Sequence, residues 1–236
     1  MQIRKNKSPF FGLALLLSSI FLTEGKAQIT KDAGLWTSIT ADYNFSMELS
    51  AQLNQEFRFN ENISELGSYF TEVGVMYKFL DRKLRTSFNY RFANKRRLDD
   101  SYSKRHRYNI DIAYREKAGP LALTFRTRFQ SQYRNVLSSD DGRIPTNYWR
   151  NRIGLKMDLD KKYRPYFGAE LFTDIAERVN DNIRFTFGVD YELNKIHNLS
   201  FFWMHQREFN VRRPVYDYVF GIGYSINVDY LIGSEN

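Results

Sequence analysis

The sequence predicts an all-β fold, a single transmembrane antiparallel up-and-down β-barrel of about 10–12 strands that follows a cleaved signal peptide. Three observations predict it: apolar and polar side chains alternate along most of the chain, connections alternate short and long, and aromatic residues concentrate at strand ends. Alternation with a period of two is typical of strands, whose successive side chains leave on opposite faces. Short turns at one end and longer loops at the other are typical of outer-membrane barrels.

The N-terminus reads as an export signal. Basic residues between positions 4 and 7 precede an apolar run at 10–22, and small residues precede the bond after Ala27. The apolar run is too short for a membrane-spanning helix, which needs about 20 residues. We therefore expect a signal peptide at 1–27 and an outer-membrane β-barrel at 28–236.

Composition is consistent with a barrel but does not decide whether that barrel is soluble or lies in a membrane. The 236 residues include 20 Phe and 16 Tyr and no cysteine, which excludes disulfides, thiolate metal sites and a lipoprotein anchor. A mean hydropathy of -0.55 fits a soluble protein. It also fits a membrane barrel, because half of each strand faces the lumen. A soluble periplasmic β-barrel that binds a ligand therefore stays open as an alternative.

The segment from Met47 to Phe59 carries the clearest alternation. Apolar side chains occupy most odd positions and polar ones the even positions from Glu48 onward. Thirteen residues is long for a strand of a soluble protein, where five or six is usual. A tilted strand that crosses a bilayer needs about nine to eleven.

Ten further segments repeat the pattern. The segment 34–43 alternates loosely, and 199–209 is mixed because Phe201 to Met204 are apolar on both faces. The other eight alternate clearly: 67–79, 84–92, 105–115, 121–134, 149–159, 165–174, 183–193 and 216–230. Because single-chain bacterial barrels use even strand numbers, we expect either ten strands, with 34–43 outside the wall, or twelve.

The connections and the aromatic residues predict how the barrel sits in the bilayer. Short connections fall near 45, 81, 118, 161 and 196, and long ones near 63, 99, 141, 178 and 212. Aromatic rings at bilayer interfaces form girdles at the headgroup level. The residues predicted to form them are Phe57, Phe59, Phe79, Tyr90, Phe92, Tyr108 and Tyr133.

The polar faces of the strands are charged, with arginines concentrated on four consecutive strands. A barrel of this size lies between barrels filled by side chains and open pores. The charges can therefore form a network that fills the lumen, or line a narrow conduit that favours anions. The predicted lumen network comprises Arg85, Arg91, Arg105, Arg107, Arg115, Arg126, Arg128, Arg150, Arg152, Glu48, Glu56, Glu72, Glu170, Asp190 and Glu192.

Enzyme chemistry is the weaker interpretation. His106 lies on the apolar face, and folding about the turn near 118 puts it roughly opposite Ser131. Such a pair would suit an outer-membrane lipid hydrolase or acyltransferase, but a His-x-Ser step on one strand is absent. We expect no enzyme, cofactor or metal site, since the sequence has no phosphate loop, His-Glu-x-x-His motif or EF-hand loop.

The expected partners are those of a membrane barrel. They are the outer-membrane assembly machinery, outer-membrane lipids and lipopolysaccharide, whose phosphates the basic run 95–97 could contact. An exported chain gives no reason to expect nucleic acid.

Short aromatic–arginine segments recur along the chain. They are Leu35-Trp36-Thr37, Gln55-Glu56-Phe57-Arg58-Phe59, Asn89-Tyr90-Arg91-Phe92, Arg105-His106-Arg107-Tyr108, Trp149-Arg150-Asn151-Arg152 and Pro165-Tyr166-Phe167. In these segments the chain resembles a family of outer-membrane barrels of unknown function common in Bacteroidota, over nearly the whole mature length. The resemblance implies a membrane location and no known activity or site. The tail departs from outer-membrane practice, because Tyr230 lies six residues before the end instead of at it.

Overall fold

Eleven strands close into one barrel, so the predicted all-β barrel is confirmed. The computed structural model describes residues 30–133, 146–159 and 162–232. The strands are β1 (Thr30–Asn44), β2 (Leu49–Asn60), β3 (Glu65–Phe79), β4 (Leu84–Arg96), β5 (Tyr102–Ala118), β6 (Leu121–Tyr133), β7 (Thr146–Met157), β8 (Tyr163–Asp174), β9 (Val179–Glu192), β10 (His197–Glu208) and β11 (Val215–Asn227). A short helix, α1 (Val228–Ile232), follows β11. The predicted signal peptide and most of the loop near 141 lie outside the described residues.

The barrel closes through a parallel seam, and this corrects the expectation of ten or twelve strands. Every neighbouring pair is antiparallel except β1 and β11, which pair in parallel from Thr30↔Val215 to Asp42↔Asn227. In an odd-numbered up-and-down barrel the first and last strands necessarily run in the same direction. The weak alternation of 34–43 therefore belongs to a full wall strand, and the even-number rule gave the wrong count.

Inward and outward faces follow the alternation of side chains. Apolar residues on the outer face are widely exposed, as at Ile112 (51%), Phe88 (51%) and Ile153 (55%). Polar residues on the inner face are buried, as at Asn109 (1%) and Glu170 (3%). This arrangement is the reverse of a soluble globular protein and places the polar groups in the lumen.

The two rims of the barrel differ less than the sequence indicates. We call the rim with the connections 45–48, 80–83, 119–120, 158–162 and 193–196 the turn end, and the opposite rim the loop end. Several predicted loops are short because backbone pairing continues past the last clear alternation, as in the pair Asn60↔Glu65. The β6–β7 connection, 134–145, is the one clearly longer connection in the sequence between strands.

Aromatic rings cluster near both rims. At the loop end, Phe57 stacks on Tyr69 with centroids 6.3 Å apart, and Tyr69 contacts Tyr102 at 5.6 Å. At the turn end, Tyr163 lies 4.7 Å from Tyr191. None of the helices in the described part of the chain is long and apolar enough to cross a membrane.

Candidate functional site: the waist of the lumen

Most of the predicted charge network faces the lumen, and several of its members pair. Arg91 donates from Nε to Glu72 at 2.7 Å, and Arg128 binds both carboxylate oxygens of Asp111 at 2.6 Å. Four further acidic residues of the lumen wall also have basic partners. These partnerships are Glu56 with Arg58, Asp190 with Lys156, Glu192 with Arg164, and Glu170 with Arg126 and Arg150.

Not every predicted member joins an ion pair of this network. Glu48 lies in the exposed β1–β2 turn, where it accepts a hydrogen bond from Ser46 Oγ, so its assignment to the lumen wall is wrong. The predicted strand 47–59 begins two residues too early, since β2 starts at Leu49.

Five further predicted arginines belong to the inner face. Arg107 donates to Gln132 Oε1 through both Nε and Nη2, at 3.0 and 2.5 Å. By strand alternation the inner face also carries Arg85, Arg105, Arg115 and Arg152.

Glu170 is the hub of the charged interior. Its side chain is 3% exposed and accepts from Arg126 at 2.5 Å and from Arg150 at 3.0 and 3.1 Å. Arg184 approaches to 3.9 Å from the next strand, where it is the register partner of Glu170. One carboxylate therefore balances three guanidinium groups. Charge-assisted hydrogen bonds of this kind are among the strongest in proteins.

A guanidinium–aromatic ladder crosses the lumen at mid-height. We use this name for seven side chains in contact order: Arg91, Phe70, Arg58, Trp36, Arg184, Phe172 and Arg150. Successive distances from guanidinium carbon to ring centroid are 3.5, 5.0, 3.6, 5.6, 5.0 and 4.2 Å. All lie within the approximately 6 Å range of a cation–π contact.

Strand register brings the ladder to one height. Trp36 is opposite Arg58, and Arg150 is opposite Phe172. The contact between Trp36 of β1 and Arg184 of β9 joins two strands separated in the wall by β10 and β11. The ladder therefore spans the interior instead of following the wall.

Buried apolar side chains complete this level, which we call the waist. Phe70 and Met204 are each 2% exposed, Val219 is 2% exposed and Phe172 is 8% exposed. Phe202 packs edge-on against Trp36 with centroids 6.5 Å apart. Phe202 fits because Gly221 has no side chain, since a Cβ there would lie 1.9 Å from Phe202 Cζ.

The ladder includes residues that the predicted network omits. Trp36, Phe70 and Phe172 occupy inward positions, and Arg58 and Arg184 link them. The signal in the sequence is an aromatic residue in the polar phase of a strand. Charge alone does not identify such positions.

Arginines also face one another across the strand pairs. The register pairs Arg91↔Arg107, Arg126↔Arg152 and Arg128↔Arg150 place like charges directly opposite each other. Such pairs are destabilising unless carboxylates or other anions balance them. The interior is therefore strongly basic as well as filled at the waist.

His106 and Ser131, which the sequence places roughly opposite each other, are offset by two residues in the register. Ser131 is opposite Tyr108, and His106 is opposite Tyr133. His106 Nδ1 shares a 2.7 Å hydrogen bond with the hydroxyl of Tyr90. In the described part of the chain, no group of three or more His, Cys, Asp or Glu could hold a metal ion.

A family profile described as "Protein of unknown function (DUF2490)" matches residues 33–216. The chain belongs to the DUF2490 family. The matched range covers every strand except the first three residues of β1 and most of β11. Comparison of this DUF2490 protein with curated proteins finds no significant match.

Solved structures similar to this DUF2490 protein include two porins and the β domain of an autotransporter. A NanC porin aligns with a TM-score of 0.55 and 14% identity, over 83% of this chain and 98% of the porin. An anion-selective porin from Comamonas acidovorans aligns with a TM-score of 0.39 and 11% identity, over 77% of this chain and 54% of that one. The β domain of the Bordetella autotransporter Brka gives 0.38 and 14%, over 75% and 81%. The first of these supports a porin-like fold, and at this identity it indicates fold alone.

Proposed function

We propose that the protein is a non-enzymatic barrel of the bacterial outer membrane whose lumen is closed at mid-height by its own side chains. Its role is that of a structural membrane component and not of an open diffusion pore. The observation that carries this proposal is the guanidinium–aromatic ladder, which crosses from β1 to β9 through Trp36 and Arg184. The porin-like fold and the exposed apolar outer face support the membrane location.

The waist is a stable closure because its guanidinium groups contact both aromatic rings and carboxylates. Each guanidinium of the ladder contacts a ring, and Glu56, Glu72 and Glu170 supply carboxylates at the same level. A buried charge that loses its partner is destabilised by several kcal/mol, on the order of 3–5. Opening a path through the waist would separate several such contacts together.

The barrel is proposed to sit with the turn end toward the periplasm and the loop end outside. The exposed apolar band meets outer-membrane lipids, and the aromatic clusters at both rims sit at headgroup level. Of the basic run proposed to contact lipopolysaccharide, Arg96 binds Asp100 at 2.5 Å and Glu61 at 3.1 Å. Exposed Arg97 is therefore the better candidate for a lipopolysaccharide phosphate. Insertion depends on the outer-membrane assembly machinery.

Fractionation and vesicle swelling test the proposal together. The full chain should appear in the outer-membrane fraction with heat-modifiable gel migration. Liposomes that contain it should swell in small neutral sugars no faster than protein-free liposomes. A freely soluble periplasmic protein would overturn the location, and porin-like swelling would overturn the closed waist.

A narrow anion path is the second candidate, favoured by the basic interior. Among the described residues, Arg107 has no carboxylate within ion-pair distance, and its register partner is Arg91. Rings of positive charge select anions in pores. Reversal potentials across a salt gradient distinguish this candidate, since an anion path gives an anion-selective current and a closed waist gives none.

A further inference from the structure

A cavity of about 250 Å³ lies in the turn-end half of the lumen, between the waist and the turn end. Four of its lining residues are basic: Arg85, Arg126, Arg152 and Lys156. No carboxylate lines it among the residues that the structure describes. A cavity whose wall holds four basic side chains and no carboxylate attracts anions.

The carboxylates available from outside the lining satisfy only part of this charge. Lys156 Nζ binds Asp190 at 2.5 Å, and Arg126 Nη2 binds Glu170 at 2.5 Å. Glu170 is also shared with the arginines of the waist. For Arg85 and Arg152, no carboxylate of the described residues lies within ion-pair distance.

Two guanidinium donors at the cavity have no acceptor. The Nε atoms of Arg85 and Arg126 are buried, and no hydrogen-bond partner is found for either among the described residues. Buried donors are nearly always hydrogen-bonded, because an unmet donor keeps the full penalty of its lost hydration. Among the described residues, the chain therefore provides no acceptor for either atom.

The backbone holds Arg152 in place at the cavity wall. An added Cβ at Gly168 would lie 2.6 Å from Arg152 Nη2 and 2.8 Å from Nε. The guanidinium therefore lies directly against the glycine, in space that a side chain would occupy. Arg152 is also the register partner of Arg126, so the wall brings two guanidinium groups to one place.

We propose that this cavity is an anion-binding site for a small multivalent oxyanion that carries phosphate or carboxylate groups. The planar guanidinium fork matches both groups through paired N–H donors. The volume suits a molecule smaller than a typical drug-sized ligand, whose pockets begin near about 300 Å³. The site takes its ligand from the turn end, since a second cavity of about 350 Å³ shares Lys156 and reaches Arg164 and Asn198 at that rim.

Calorimetric titration of the full-length barrel in detergent tests the site, with pyrophosphate and citrate as separate probes at low salt. We expect one saturable site per barrel, and the tighter probe assigns phosphate or carboxylate chemistry. The double variant Arg85→Gln/Arg152→Gln should bind at least about tenfold more weakly, since each lost charged hydrogen bond is worth on the order of a tenfold change. Glycerol, which is neutral, should give no saturable heat.

Two further variants separate site binding from general charge and from misfolding. Lys104→Gln/Arg213→Gln removes the same charge from exposed positions near the loop end and should bind like the wild type. Gly168→Ala keeps every charge but displaces Arg152, so it should weaken binding while gel migration remains that of a folded barrel.

The proposal is overturned by wild-type protein that binds neither probe at millimolar concentration. It is also overturned if Lys104→Gln/Arg213→Gln weakens binding as much as the cavity double variant, or if that cavity variant binds normally. The titration measures binding and does not depend on conduction. A barrel that conducts ions would therefore refute the closed waist and leave the proposed anion site intact.

Discussion

Replacement of Glu170 by Gln is the perturbation that best exposes the energetics of the waist. Glu170 is 3% exposed and serves Arg126, Arg150 and Arg184. The amide keeps one acceptor oxygen and nearly the same volume, so the change removes charge more than packing. Three buried guanidinium groups then lose their shared counter-charge.

We expect Glu170→Gln to lower the free energy of unfolding by a large amount for a single isosteric change. Removing one partner of a buried ion pair destabilises a protein by about 3–5 kcal/mol. Because the amide still accepts one hydrogen bond, we expect the lower end, about 3 kcal/mol, which is roughly a hundredfold change in the unfolding equilibrium. The matched control is Glu116→Gln, whose ion pair with Lys83 has side chains 43% and 50% exposed. Exposed pairs contribute little to stability.

Urea unfolding of the barrel in lipid vesicles, followed by tryptophan fluorescence, measures both variants. Trp36 lies within the ladder, so part of the fluorescence signal comes from the waist. The double variant Glu170→Gln/Arg126→Gln should recover part of the lost stability, because it removes one of the uncompensated cations. Equal stability for Glu170→Gln and Glu116→Gln would refute the assignment of Glu170 as the hub.

Three other changes test the packing around Gly221, the apolar outer face and the parallel β1–β11 seam. Gly221→Ala should lower stability by about 1–3 kcal/mol in the same unfolding assay, because the new methyl overlaps Phe202. Ile112→Arg should destabilise the barrel in vesicles by about 2–4 kcal/mol, because it puts a charge on the exposed outer face that is proposed to contact lipid. Cysteines at Thr40 and Ser225 should form a disulfide under mild oxidation, since these residues are register partners in the parallel seam.

Each of these has a matched control. Gly154→Ala should be tolerated, since the nearest atom to its Cβ would be 3.8 Å away. Leu98→Arg should be neutral because Leu98 lies in an exposed connection at the loop end. A cysteine pair at Thr40 and Asp217 should stay reduced, because Asp217 pairs with Asp32, eight residues up the strand. A destabilised Gly154→Ala, a neutral Ile112→Arg or an oxidised Thr40–Asp217 pair would contradict the respective argument.

The strand pattern is readable from the sequence because the outer face of each strand is mostly apolar and the inner face is mostly polar and charged. Alternation places Ile112 outside and Asp111 inside, and nine of the eleven segments show it clearly. The even-number rule for bacterial barrels gives the wrong strand count here. The sequence of one strand does not show whether that strand pairs with a parallel or an antiparallel neighbour. The seam depends on residues almost two hundred positions apart, such as Thr30 and Val215.

The charged residues of the site were also predictable, but their partnerships were not. Arg150 and Glu170 face inward by phase, yet their pairing depends on the β7–β8 and β8–β9 registers. The sequence does not predict the ladder, because Phe70 and Phe172 are apolar residues at strand positions where the alternation predicts polar ones. Such positions look like exceptions to the alternation. Glu48 was misassigned because the side-chain alternation continues into the turn after the wall has ended.

Single-channel recording in planar bilayers tests the closed waist most directly. The wild-type barrel, with Trp36 and Arg184 in contact across its lumen, should insert without discrete conductance steps. The variant Trp36→Ala/Phe172→Ala removes two rings of the ladder and should conduct in steps. Stable wild-type steps as large as those of the variant would contradict the closed waist.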